Sequence, residues 1–338
     1  MRKSFNMVAV LLVFAMVLAA CGSNGGNNGS NSNGNNGGNT GGATNAPATE
    51  VPATKAPAPA EIVVKHELGE AKVKTNPETV VVFDYGVVDT LDVLGVEVDA
   101  LPKSNLPKYL EKFKDEKYTD AGTLFEPDFE TIDGISPDLI IISGRASEAY
   151  EELNKIAPTV YFNVDTTKYM ESFTSIVNQL GEIFGKQAEA EAELAKINAS
   201  IKEVTDMTAN DEKKGLFVMA NSGTLKAYGP TSRFGFPHDV LGVKPADDGI
   251  EISNHGAEVT FEYVAEKNPD YLFVLDRNAA VEGEAGAKEF IENKLMENTN
   301  AFKNGKIGYL NAESWYLAGG GLSSVTEMIG EIKAVLEQ

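Results

Sequence analysis

The amino-acid sequence predicts an α/β fold of two pseudo-symmetric lobes joined by a long helix, with a cleft between them, and three observations support it. A helix-turn-strand unit occurs twice, from Phe129 to Arg145 and from Phe261 to Arg277. Between the copies, from about Lys168 to Met207, apolar residues recur at helical spacing among Glu and Lys. Ahead of both, residues 22 to about 60 hold Gly, Asn and Ser and then Ala, Pro and Thr, with almost nothing to bury.

The elements follow in chain order. Met1-Arg2-Lys3 is a short basic segment, Val8 to Leu18 an apolar one, and Leu18-Ala19-Ala20-Cys21 a small-residue cleavage site. That order predicts a secretory signal peptide over residues 1–20. A continuous apolar run of about 13 residues is too short to span a bilayer, which takes roughly 20. Cys21 is the only cysteine, so no disulfide forms within a monomer, and its place after Leu-Ala-Ala resembles the bacterial lipobox, where the thiol is modified by diacylglycerol. A secreted protein with one free thiol is the competing reading. Residues 21–60 then read as a lipidated N-terminus and a tether, flexible where Gly-rich and extended where Pro-rich.

Residues 61–167 form the predicted first lobe. Val80 to Asp84 is a strand, and the helix after it, through Val87, Leu91 and Leu94, closes at Gly95. Ile156 to Val164 is a further strand. Residues 168–207 form the linking helix, interrupted near Gly181 or Gly185; at 1.5 Å per residue, about 40 residues span a domain of this size. Residues 208–338 form the second lobe, with strands Gly215 to Ala220 and Thr224 to Tyr228 around a tight turn. Lys306 to Leu310 is another strand, and a helix from about Leu322 to Leu336 is entered through Gly319-Gly320-Gly321.

In the duplicated unit Phe129, Glu130, Pro137, Asp138 and Arg145 recur without a gap as Phe261, Glu262, Pro269, Asp270 and Arg277. Each Pro-Asp turn enters an apolar run with the length and composition of a buried parallel strand. Arg145 and Arg277 therefore stand just past the carboxyl ends of two strands, the edge at which open α/β sheets bind ligands. Arg233, in Gly229-Pro-Thr-Ser-Arg233-Phe, lies in a turn. These are the only arginines after Arg2, every other basic residue being lysine. A guanidinium offers a planar fork that an ammonium does not. For each of the three, a structural salt bridge is the competing account.

Composition excludes several functions. A formal net charge of -21 argues against nucleic acid, and an anionic ligand needs a local positive site to override that field. His66, His238 and His255 are the only histidines, too few for a histidine-rich zinc or manganese receptor. There is no Gly-rich phosphate loop after a strand and no Gly-x-Ser-x-Gly elbow, which leaves a secreted hydrolase using His238 or His255 as a remote alternative.

Lobe, long helix and lobe behind a lipobox, together with Pro77-Glu-Thr-Val-Val-Val-Phe-Asp-Tyr-Gly86, Asp89-Thr-Leu-Asp-Val-Leu-Gly95, Glu126-Pro-Asp-Phe-Glu130 and Ser314-Trp-Tyr-Leu-Ala-Gly-Gly320, resembles the helix-hinged solute-binding proteins of iron-siderophore and cobalamin ABC importers. The resemblance covers the chain from about Ile62 and is nearest to the catecholate (petrobactin-type) binders. It implies a monomeric, non-enzymatic lipoprotein on the outer face of the cell membrane. Such a protein has no intrinsic cofactor, captures an Fe(III)-siderophore complex and delivers it to a permease dimer. Haem or cobalamin is the alternative ligand.

The resemblance also implies roles. Arg145, Arg233 and Arg277 contact catecholate oxygens. His255 and Tyr316 complete the iron coordination of siderophores with too few donors, while Glu130 and Glu262 dock on permease arginines. The bland readings stand beside these: His255 as a cap, and the two glutamates as helix N-terminal acids favoured by the dipole. Trp315 and Tyr85 pack on catechol rings or belong to the core, and Lys103 adds charge at the rim or is one more solvated lysine.

Overall fold

The structure, a computed structural model, describes residues 60–338. The signal peptide, Cys21 and the tether lie outside the described residues. No helix among the described residues is long and apolar enough to cross a membrane.

An antiparallel hairpin of β1 (Glu61–His66) and β2 (Gly69–Lys74) precedes the first sheet. That sheet contains β3 (Val80–Val82), β4 (Ala100–Leu101), β5 (Thr119–Asp120), β6 (Leu139–Ile142) and β7 (Thr159–Tyr161). All are parallel, in the order β5-β4-β3-β6-β7. Both faces of β3 and β6 are buried, which is why each reads as a continuous apolar run rather than an alternating one. Helices α1 (Tyr85–Val93), α2 (Phe129–Ile135) and α3 (Tyr150–Ile156) complete this part.

The predicted linking helix is two helices, α4 (Tyr169–Ile183) and α5 (Gln187–Thr208). The break falls at Gly185, whose φ of +64° only glycine adopts without strain. The amide of Asn76 donates to the Ile183 carbonyl at 2.7 Å, taking an acceptor that the terminating helix leaves free. Gly181 has a packing role: a Cβ there would lie 3.0 Å from the Cβ of Ala190, so its absence lets α5 approach α4.

The second sheet contains β8 (Lys214–Asn221), β9 (Thr224–Tyr228), β10 (Lys244–Pro245), β11 (Ala257–Val259), β12 (Tyr271–Asp276) and β13 (Ile307–Leu310). Its order is β11-β9-β8-β12-β13, with β10 alongside the start of β8. Strands β8, β12 and β13 are parallel, whereas β9 runs antiparallel to both β8 and β11. The tight turn from β8 to β9 places Ser222 and Gly223 at φ of 46° and 80°, as a two-residue hairpin connection of the primed type requires. Around this sheet lie α6 (Phe236–Asp239), α7 (Phe261–Lys267), α8 (Arg277–Val281), α9 (Ala287–Ile291), α10 (Asn300–Lys303) and α11 (Leu322–Glu337).

The duplication is visible in geometry as well as in sequence. Asp128 caps α2 and Thr260 caps α7, and both helices end on a left-handed residue, Ser136 or Asn268. Asp138 then donates its amide to the Thr79 carbonyl at 2.8 Å and accepts the Thr79 amide at 3.2 Å. Asp270 does the same with Lys214, at 2.8 and 3.0 Å. Each repeat aspartate thus clamps the start of its own strand to the neighbouring one.

One continuous core runs through α1, α4, α5 and α11 and one face of each sheet, including Leu91, Phe173, Ile197, Phe217, Phe273 and Ile329. The alternate residues Val81, Ile140 and Ile142, and in the other sheet Val218, Leu272 and Val274, face two smaller clusters. Helix α11 is joined to α1 by Asp89. Its carboxylate accepts the Ser323 and Ser324 amides at 3.1 and 2.8 Å, capping α11 from the first lobe. Glycines make that approach possible: a Cβ on Gly86 would meet the backbone of Gly320 at 2.9 Å, and one on Gly321 would overlap the Asp89 carboxylate.

Candidate functional site

Three separate pieces of backbone bring the arginines together. Arg145 lies in a 3₁₀ turn (Gly144–Ala149) at the end of β6. Arg277 opens α8 at the end of β12, where Asp276 caps the helix through the Ala279 amide at 3.1 Å. The second oxygen of Asp276 accepts the amides of Gly286 and Ala287, both at 2.8 Å, so the turn holding Arg277 is fixed from two sides. Arg233 sits between β9 and α6. There Thr231, at φ of 59°, donates its amide to Asp239 at 2.7 Å, and the Ser232 hydroxyl donates to the Gly229 carbonyl at 2.6 Å.

All three converge on Tyr316, in a π-helical turn (Glu313–Leu317) of the kind that recurs at functional sites. Arg145 Nη2 donates to the Tyr316 carbonyl at 2.7 Å and its Nη1 to the Leu317 carbonyl at 3.3 Å. Arg233 Nη2 donates to the same Tyr316 carbonyl at 3.2 Å, and Arg277 Nε to the Tyr316 hydroxyl at 3.1 Å. The Arg233 guanidinium lies 4.5 Å from the Tyr316 ring centroid and 5.0 Å from that of Phe234, in contact with both rings. Every salt bridge among the described residues uses lysine. The competing salt-bridge account therefore fails for all three arginines.

The site concentrates positive charge in an acidic protein. Burial lowers the proton affinity of Arg145, with the Asp84 charge opposing and the Arg233 charge reinforcing that shift. For Tyr316, burial raises the phenol pKa, but the Arg277 hydrogen bond and the charges of Arg233 and Arg277 outweigh it and leave the phenol below the ordinary tyrosine value. Three guanidiniums satisfied only by neutral acceptors make a site for a ligand with several negative oxygens, because charge-assisted bonds are roughly twice as strong as neutral ones.

The other candidates are placed variously. Trp315 is only 3% exposed, donates Nε1 to Glu331 at 2.8 Å and packs on Phe217 and Phe236. Tyr85 is fully buried, with its hydroxyl on the carbonyls of Pro102 and Ser104. Both are packed in the core with satisfied polar tips, the second of the two readings that the sequence offers. The Lys103 ammonium donates to the carbonyls of Lys114 and Asp115 at 3.3 and 2.8 Å, so it caps a 3₁₀ turn rather than charging a rim. His255 is exposed and its imidazole makes no hydrogen bond among the described residues. Its turn rests on Tyr228 through Gly256, where a Cβ would lie 2.6 Å from the ring.

Glu130 and Glu262 are exposed at equivalent positions, the second residues of α2 and α7. Its own backbone amide and the Thr260 hydroxyl hold Glu262 below the usual carboxylate range. Asn221 and Phe234 join the cluster without a motif to mark them in the sequence. Asn221 accepts from Arg277 Nη1 at 3.4 Å, and Phe234 supplies the second face for Arg233. The available signals were a polar turn at the carboxyl end of β8 and an aromatic residue directly after an arginine. Among the described residues, no group of three or more His, Cys, Asp or Glu side chains is placed to hold a metal ion.

A family model described as periplasmic binding protein matches residues 80–313. The chain belongs to the periplasmic binding protein family. Within that family it is 47% identical over 340 residues to the petrobactin-binding protein YclQ of Bacillus subtilis (strain 168), covering 99% of this chain and 100% of the relative. The crystal structure of the B. subtilis protein superposes with a TM-score of 0.80 at 52% identity, over 82% of this chain and 99% of that one. The periplasmic catecholate-siderophore binding protein VctP of Vibrio cholerae superposes with a TM-score of 0.78 at 37% identity, over 81% and 99%.

Proposed function

We propose that this periplasmic binding protein is the extracytoplasmic, membrane-associated receptor of an ABC importer, capturing a ferric siderophore of the catecholate class. One observation weighs most: guanidiniums from both lobes, none with a carboxylate partner, converge on one tyrosine. A ferric catecholate is a compact anion with planar oxygens, and three such donors contribute roughly 1.5 to 3 kcal/mol each. The names of the relatives in B. subtilis and V. cholerae support the same ligand class.

Iron is cargo in this reading. Arg145, Arg233 and Arg277 take the catecholate oxygens, displacing the Tyr316 and Leu317 carbonyls that compete for the same donors. The Tyr316 phenol fills an open iron position when the siderophore has too few donors, with His255 as the other ligand. Glu130 and Glu262 dock the two lobes on the permease, and diacylglycerol on Cys21 anchors a monomer outside the membrane. The lobes span residues 61–167 and 208–338, with residues 168–207 between them.

The test is a titration of the purified protein with ferric tris-catecholate, bis-catecholate, mixed citrate-catecholate and hydroxamate complexes and with haem. The readout is the fluorescence of Trp315, next to Tyr316 in the π turn. Submicromolar quenching by catecholates is the expected result. Quenching by haem or hydroxamates alone defeats the proposal.

A further inference from the structure

We propose that the turn Gly122–Pro127 is an apolar contact to the membrane permease, present on the first lobe only, with Phe125 as the inserted side chain. This rests on the reading of Glu130 as a permease contact and extends that surface. Phe125 is 67% exposed, the highest among the exposed large apolar side chains of the described residues, and Phe129 nearby is 39% exposed. Single exposed apolar residues are ordinary; the bracing of this one is not. Gly122 adopts a φ of +105°, and a Cβ on it would lie 2.5 Å from the Glu126 carbonyl and 2.8 Å from the Asp128 amide, so only glycine closes the turn. The Thr123 amide donates to the Glu126 carbonyl at 3.0 Å, and the Thr123 hydroxyl accepts the amides of Glu126 and Phe125 at 2.9 and 3.3 Å. The Asp128 amide closes the base on the Ala121 carbonyl at 2.8 Å. An aromatic side chain held out on so constrained a turn loses little freedom on binding, as an interface anchor requires.

The surroundings define the partner. Glu126, Asp128 and Glu130 are exposed and flank Phe125 and Phe129 in sequence, and hydrogen bonds from Thr131 hold Asp128 below the usual carboxylate range. The complementary surface is an apolar socket rimmed by basic side chains. It is continuous with whatever receives Glu130, which points to the extracytoplasmic face of the permease. The second lobe keeps two of the three acids, with Thr260 in place of Asp128, and lacks the anchor. Ala257 stands at the position equivalent to Phe125, Glu258 at that of Glu126, and Phe261, equivalent to Phe129, packs on Phe290 at 5.0 Å. The anchor therefore gives the receptor one orientation on the permease, which two equivalent glutamates alone do not.

The experiment measures docking of the full-length protein on its permease in lipid nanodiscs, comparing wild type with Phe125→Ser, Ala257→Ser and Glu130→Ala. Phe125→Ser is expected to weaken docking at least about tenfold, as loss of a buried aromatic anchor does, with ferric catecholate affinity and melting temperature unchanged. Ala257→Ser should dock like wild type. If Phe125→Ser docks like wild type while Glu130→Ala does not, the anchor is refuted and the permease reading stands. If neither change weakens docking, the reading of the first lobe as a docking surface fails too. A wild-type dimer that Phe125→Ser converts to monomer in light scattering assigns Phe125 to self-association and overturns the proposal.

Discussion

Replacing Arg233 by lysine keeps one positive charge and removes a plane. The guanidinium now lies against Phe234 and Tyr316 with Nη2 aimed at the Tyr316 carbonyl, and a ligand oxygen replacing that carbonyl meets a donor that contact with the two rings has already positioned. An ammonium on a flexible stem retains the Coulomb attraction but neither the fork nor the stack. One charge-assisted hydrogen bond is worth about 1.5 to 3 kcal/mol, and an exposed cation-π contact about 0.5 to 1 kcal/mol. Arg233→Lys should thus weaken ferric catecholate binding by about 2 to 4 kcal/mol, roughly 30- to 1,000-fold. Lys103→Arg is the control: its ammonium serves the carbonyls of Lys114 and Asp115, so its effect should stay within about 0.5 kcal/mol. Equilibrium quenching of Trp315 fluorescence reports both affinities, and thermal melts check that both variants fold. Equal weakening by the two changes, or an Arg233→Lys affinity within about twofold of wild type, refutes the idea that direction matters beyond charge.

Tyr316→Phe should abolish a visible phenolate-to-iron charge-transfer band with a tetradentate siderophore and leave hexadentate binding nearly unchanged; a surviving band rules out ligation by Tyr316. Because the folded phenol titrates below its unfolded value, the stability it contributes is full above about pH 10 and is lost as pH falls through the folded value. Ultraviolet titration should therefore show one early-ionising tyrosine that disappears in Tyr316→Phe. Gly321→Ala should lower the melting temperature by several degrees, because the added Cβ overlaps the Asp89 carboxylate and such overpacking costs about 1 to 3 kcal/mol; an unchanged melt means the α1 to α11 joint relaxes freely. Alanine at both Glu130 and Glu262 should stop uptake by whole cells and leave siderophore affinity intact, and a large loss of affinity would contradict the docking role.

The parts that were legible in the sequence are those set by local pattern or by duplication. Strands β6 and β12 announce themselves because both faces are buried, and the two Pro-Asp turns because each aspartate performs the same clamp. The arginines stand out in the sequence by scarcity, and Arg145 and Arg277 also by strand-end position. Tyr316 was assigned through resemblance as an iron ligand, yet its backbone carbonyl, shared by Arg145 and Arg233, has no side-chain signature. For Lys103, Tyr85 and Trp315 the sequence leaves two readings open for the same reason, since the partners of each are carbonyls or a carboxylate distant in sequence. Asp89 reads as one more polar residue on α1 until α11 returns to be capped by it.

That returning segment ties ligand capture to the relation between the lobes. The first lobe holds the π turn at both ends, through the Lys108 amide on Glu313 at 2.8 Å and through Arg145 on the carbonyls of Tyr316 and Leu317. Arg233 and Arg277, from the second lobe, grip the same tyrosine between those ends. Of the bonds that a ligand would replace in the proposed reading, those of Arg145 to the Tyr316 and Leu317 carbonyls cross the lobes, so its capture bears on the joint through Arg145. The amplitude is limited from below. Helices α1, α4, α5 and α11 share one core, Asp89 fixes the start of α11, and Gly86 brings α1 against the backbone of Gly320. Motion about such a joint is a small rocking of packed helices, not a wide strand-hinged closure. In the proposed reading, selectivity then comes from the direction of the three guanidinium donors more than from enclosure.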